Sequence, residues 1–118
     1  MKNVKFLLSA ALVFLASAAL AQDFSAPQYA KWGATPEERE QNILNSNFLK
    51  ESCDNRDYDA AAHYLKGLID KIPDAAESIY QRGAVVYKNK INRAKSVAEK
   101  NMFIDSLTVS YTHLRAHE

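Results

Sequence analysis

Between Asp54 and Pro73 the chain reads DNRDYDAAAHYLKGLIDKIP, and its apolar positions fall at Ala61, Tyr64, Leu65, Leu68, Ile69 and Ile72. Steps of three and one place these side chains on one face of a helix, and the pattern predicts a helix over residues 57–72. Asp57 can cap its free amides, Asp59 sits where the helix dipole favours an acid, and Lys71 sits where it favours a base. Pro73 cannot continue the helix and biases Ile72 toward an extended backbone. Upstream, Thr35-Pro36-Glu37-Glu38 predicts a helix start with a capping box, opening a helix over residues 35–53. Its apolar side is Ile43, Leu44, Phe48 and Leu49, with Asn42, Asn45 and Asn47 on the polar side. Downstream, Asp74 is expected to cap a third helix over residues 74–89, with Asn89-Lys90 as the next turn. A fourth helix follows over residues 92–108, with Ala94, Val97, Ala98, Met102 and Leu107 inward and Arg93, Lys95 and Lys100 outward. Three glycines, three prolines and little strand-like alternation complete an all-α reading: antiparallel helical hairpins from residue 35 to 108. A single helix cannot bury the 57–72 stripe alone, so it needs a neighbouring helix on each side. Residues 22–34 show no helical period, and their Phe24, Tyr29 and Trp32 are expected to lay one or two rings over the first hairpin.

The segment from Asp57 to Asp74 resembles, without a gap, the second helix of a tetratricopeptide repeat. The likeness rests on Tyr58 after the turn, the small Ala61 three residues later, the large Tyr64, Leu65 and Leu68, and the closing Pro73. The following AESIYQRGAVVYKN resembles the first helix of the next repeat, with Gly83 at the position where two helices approach closely and Ile79, Val86 and Tyr87 as packing residues. Asn45 and Leu49 stand where a large aromatic and a glycine are usual, and Leu68 is bulkier than the usual alanine. The match spans about one and a half repeats. It implies a short tetratricopeptide-like α-solenoid whose concave groove holds a protein or peptide partner. The groove residues it implies are Asn45, Lys50, Gln81, Arg82 and Lys88.

Both ends change this picture. Residues 1–21 read as a secretory signal peptide of bacterial type: Lys2 and Lys5, then the apolar run Phe6–Ala18, then Ala19-Leu20-Ala21 as the cleavage site. The run is short for a membrane span, so the expected destination is the periplasm or beyond, with no stable span after cleavage. The last ten residues, VSYTHLRAHE, resemble a translated sequencing adapter of transposase-based library preparation. GTC TCT TAT ACA CAT CTC CGA GCC CAC GAG encodes Val109 to Glu118 codon by codon. This implies that the natural frame continues past about Thr108 and that the chain is an N-terminal fragment. A larger envelope protein, with an enzymatic or anchoring domain beyond this docking module, is the rival expectation. Setting aside Lys2, Lys5, Arg115 and Glu118 leaves 12 of 15 basic and 13 of 14 acidic residues. So balanced a charge argues against binding nucleic acid through a basic surface.

The residues hold little chemistry. Gly33, Gly67 and Gly83 are too scattered for a phosphate loop, and there is no Gly-x-Ser-x-Gly elbow. Cys53 is the sole cysteine, which excludes an internal disulfide and a multi-cysteine metal site, and it reads as a half-buried residue at a helix end. His63 lies across a turn from Cys53 with nothing to orient it as a base. Asp54, Asp57 and Asp59 cluster at that turn without the glycine and distal glutamate of a calcium loop, and read as capping residues. His113 and His117 stand at i and i+4, but the pair falls in the adapter-like tail and lacks a third ligand. The expectation is a scaffold without catalytic residues, metal or cofactor.

Overall fold

The computed structural model describes residues 22–116; the signal-peptide segment, His117 and Glu118 lie outside the described residues. A short 3₁₀-helix, Pro27–Trp32, leads into four α-helices: α1 (Pro36–Asp54), α2 (Tyr58–Lys71), α3 (Glu77–Arg93) and α4 (Val97–Ala116). They pack as sequential antiparallel pairs, α1 on α2, α2 on α3 and α3 on α4, and α1 also reaches α3. The domain is all-α, a small stack of antiparallel helices.

Local sequence explains most helix ends. The Thr35 hydroxyl accepts from the Glu38 amide at 3.2 Å, and Glu38 Oε2 accepts in return from the Ala34 amide at 3.1 Å, a capping box whose return bond goes to the residue before the cap. Asp57 accepts from the Ala60 amide at 3.2 Å and caps α2. Arg56, in the turn between them, has φ of 59°, a left-handed conformation that costs a non-glycine residue strain.

Three boundaries here differ from expectation. Helix α3 begins at Glu77 with no side-chain cap, not at Asp74, because Pro73–Ala76 forms a turn of its own. In that turn the Ala75 amide donates to the Ile72 carbonyl, and the Tyr80 hydroxyl donates to the Pro73 carbonyl at 2.6 Å. Helix α3 then runs through the expected Asn89-Lys90 turn to Arg93, and Lys90 is held there by an ion pair with Asp59 of α2. Helix α4 starts at Val97, where Ser96 accepts from the Glu99 amide at 3.1 Å and Glu99 reaches back to the Lys95 amide at 3.4 Å.

The core is the α2 stripe filled in from both sides. Ala61, Leu65, Leu68 and Ile72 are buried, and Leu49 from α1 and Ile79, Tyr80 and Val86 from α3 join them in one cluster. At Gly83 helices α3 and α4 come close: a Cβ there would meet Ser110 Oγ at 2.8 Å and Leu65 at 3.5 Å.

The inward faces of the outer helices depart from expectation. On α4, Val97 (76% exposed) and Met102 (55%) face solvent and Ala98 is exposed. Leu107 faces inward as expected, and Phe103, Ser106, Ser110, His113 and Leu114 complete the inward row. The small Ser110 fits against Gly83, and that contact sets the rotation of the helix. Nor does the helix stop near Thr108: residues 109–116 continue α4, with His113 stacked on Tyr80 at 4.0 Å and Leu114 packed against the core.

On α1, Leu44 and Phe48 are exposed while Asn42, expected on the polar side, is buried. Its amide donates to the Trp32 carbonyl at 2.8 Å, supplying a partner to the end of the 3₁₀-helix, and Arg39 donates to the Gly33 and Phe24 carbonyls at 2.9 Å. Replacing Asn42 by Ala leaves the Trp32 carbonyl without this partner, and a loss of about 1–2 kcal/mol in urea unfolding is expected; an unchanged midpoint would remove the anchoring role of Asn42.

Candidate functional site

The residues expected to line a groove divide between two faces. Along α3, Gln81, Val85 and Lys88 are spaced i, i+4, i+7 and stay exposed, with Val85 at 49%. This row lies between the side of α3 that meets α1 and the side that meets α4. On the first side Arg82 is half-buried and close enough to Cys53 of α1 to act on its ionisation. On the second side the Lys88 ammonium lies 5.6 Å over the Tyr111 ring of α4, a cation–π contact. Lys50 of α1 forms an exposed i,i+4 ion pair with Asp54 at 3.6 Å, which contributes little to stability.

Asn45 is the exception. It lines a crevice with His63, Tyr64, Lys66, Gly67 and Asp70, on the side of α1 that faces α2. Its amide oxygen accepts from Gln41 Nε2 at 3.1 Å. Asn45 stands four residues before the buried Leu49 and therefore shares its face, a signal the sequence carried. Val85 was not singled out in advance, although an apolar residue four positions after Gln81 and three before Lys88 marks an amphipathic row.

A second, apolar groove of about 430 Å3 opens between α2 and α4, with Ala62, Ile69, Tyr87, Met102, Phe103 and Val109 on its walls. The Tyr87 and Phe103 rings lie 6.5 Å apart. Burial raises the Tyr87 hydroxyl above its ordinary pKa, so it stays a neutral donor and acceptor through neutral pH.

The remaining chemical candidates have separate surroundings. Cys53 is half-buried, and burial raises its thiol pKa; Arg82 acts in the opposite direction and Asp54 in the same. The protonated thiol reacts slowly. Alkylation by iodoacetamide at pH 7.5 is therefore expected to be slower than that of free cysteine and to slow further in Arg82→Gln. A rate matching free cysteine would show that burial does not govern Cys53. His63 is exposed, edge-on to Tyr64 with ring centroids 5.7 Å apart. Asp54, Asp57 and Asp59 each have their own partner: Lys50, the Ala60 amide and Lys90. The Lys90 contact holds the Asp59 carboxyl below its ordinary pKa. Among the described residues no group of three or more His, Cys, Asp or Glu is placed to hold a metal ion. No described helix is long and apolar enough to cross a membrane.

In comparisons with known proteins, no protein-family model, no curated protein and no solved structure matches this chain.

Proposed function

We propose that this chain is a non-enzymatic, protein-binding scaffold of the bacterial cell envelope, a short tetratricopeptide-like stack that holds an extended or helical peptide along α3. The observation that carries the reading is the open row Gln81, Val85 and Lys88, with an exposed valine between polar ends. Helix α1 also packs against α3, and Arg82 lies close enough to Cys53 of α1 to act on its ionisation. Val85 supplies apolar contact, Gln81 supplies hydrogen bonds, and Lys50, Arg82 and Lys88 supply positive charge for an acidic or carboxylate-rich segment. Asn45 belongs to the α1–α2 side and takes no part. The envelope location rests on the leader-like residues 1–21.

The test is selection of peptides from a displayed library against the full chain, followed by affinity measurement on variants. Val85→Asp and Lys88→Glu should each weaken the selected peptides by about tenfold or more, the effect of losing one good contact, with melting unchanged. Lys66→Glu, on the far side of α2, should leave affinity alone. Failure to select any peptide, or affinity indifferent to Val85 and Lys88, would overturn the reading.

A further inference from the structure

A cavity of about 450 Å3 lies at one end of the stack, where the α1–α2 turn, the last turns of α3 and the α3–α4 turn converge. Its volume falls in the range of small-molecule sites. Seven charged residues line it, and the carboxylates among them already have partners. Asp57 accepts from the Ala60 amide at 3.2 Å, Asp59 is tied to Lys90, and Glu99 accepts from the Lys95 amide at 3.4 Å. Of the four cations Lys90 is matched in this way, and four positive against three negative side chains leave a small excess of positive charge. Arg56, Arg93 and Lys95 form no ion pair among the described residues, yet all three line the same cavity. The dipole at the C-terminal end of α3 explains why Lys90 and Arg93 suit that position. It does not explain Arg56 and Lys95, which arrive from two other turns.

We propose that this cavity binds a tetrahedral oxyanion, a phosphate or sulfate group borne by a small molecule, held between Arg56, Arg93 and Lys95. Two guanidinium forks can each offer paired N–H donors to such an anion, and the lysine adds a point charge. The first turns of α2 and α4 border the cavity through Tyr58 and Glu99 and the last turns of α3 border it too, so the helix dipoles offset one another and the side-chain cations carry the field. The space beyond a bare phosphate accommodates an ester substituent, and the half-buried Tyr58 ring gives that substituent an apolar wall. All three cations are exposed, so binding is salt-dependent. This site lies apart from the Gln81–Val85–Lys88 row and does not depend on it.

The experiment is a titration of the full chain with inorganic phosphate and with phenyl phosphate, followed by backbone amide shifts in NMR at constant ionic strength, with chloride as the control anion. Saturable shifts confined to residues around Arg56 and around Lys90–Lys95 support the site. Tighter binding of phenyl phosphate assigns it to an organic ester, and tighter binding of inorganic phosphate assigns it to the free anion. The combined variant Arg56→Gln, Arg93→Gln and Lys95→Gln should melt like the parent without phosphate and bind at least about tenfold more weakly, as expected for losing charge-assisted contacts. Asp59→Asn releases Lys90 into the cavity and should tighten binding by several-fold. Shifts that chloride reproduces, a triple variant that binds as well as the parent, or an Asp59→Asn variant that binds more weakly would each overturn the proposal.

Discussion

Leu65→Ala is expected to lower unfolding stability by about 2–5 kcal/mol, the range for deleting a large aliphatic side chain from a core. Leu65 is completely buried at the centre of α2. It is one of the atoms nearest Gly83, so it packs where α2 and α3 come together. Two features push the loss toward the upper part of the range. The neighbours Ala61 and Gly83 are small and cannot lean into the void, and Leu49, Leu68 and Val86 are already fully buried in the same cluster. Small domains have stabilities of about 5–15 kcal/mol and bury a modest share of their surface, so the variant should lose a large fraction of its stability. Urea unfolding followed by circular dichroism measures the change. Lys66→Ala is the control: the neighbouring side chain is exposed and should move the midpoint by no more than about 0.5 kcal/mol. Equal midpoints for Leu65→Ala and the parent would mean that the buried stripe does not hold the stack together.

The second large effect is a coupling. Gly83→Ala should gain about 0.8–1 kcal/mol of helix propensity, but the new methyl would stand 2.8 Å from Ser110 Oγ. Overpacking of this kind costs about 1–3 kcal/mol, so the single variant should be less stable than the parent. Ser110 is fully buried, and its hydroxyl has no hydrogen-bond partner among the described residues. The hydroxyls of Ser106, Thr108 and Thr112 on the same helix each donate to the carbonyl four residues back. Ser110→Ala removes an unsatisfied group and should stabilise by about 1 kcal/mol. In that background the collision is gone, and Gly83→Ala should turn from unfavourable to favourable. A double-mutant cycle should therefore show a coupling of about 1–3 kcal/mol in favour of the pair. A coupling near zero would place α4 farther from α3 than this packing requires.

The helices were legible where a strong local signal agreed with burial. The stripe Ala61–Leu65–Leu68–Ile72 and the caps at Thr35 and Asp57 emerged as read, because each depends on residues within a few positions of itself. The α3 boundaries were not legible. Asp74 looked like a cap, but the Pro73–Ala76 turn is held by Tyr80 from the next helix, and α3 continues through Asn89-Lys90, where Lys90 pairs with Asp59, 31 residues away. The start of α4 could have been read: Ser96 and Glu99 carry a capping-box spacing. Its rotation could not, because that depends on which side chain is small enough to meet Gly83. Among the candidate groove residues, Gln81, Arg82 and Lys88 fell on or beside one row because they share a helix, whereas Asn45 shares the face of Leu49, four residues on, and so falls on the α2 side of α1. The basic cavity escaped notice because Arg56, Arg93 and Lys95 are unremarkable singly and are brought together only by three separate turns.

The lead-in gives the molecule an internal optical reporter. Trp32 is the sole tryptophan of the chain. Its half-buried ring packs against the core, while Asn42 holds its carbonyl. Indole fluorescence therefore registers the docking of residues 22–34 on α1, whereas backbone ellipticity registers the hairpins. If the two signals separate during heating, the lead-in detaches as its own cooperative unit before the stack melts; if they coincide, residues 22–34 and the four helices melt as one body.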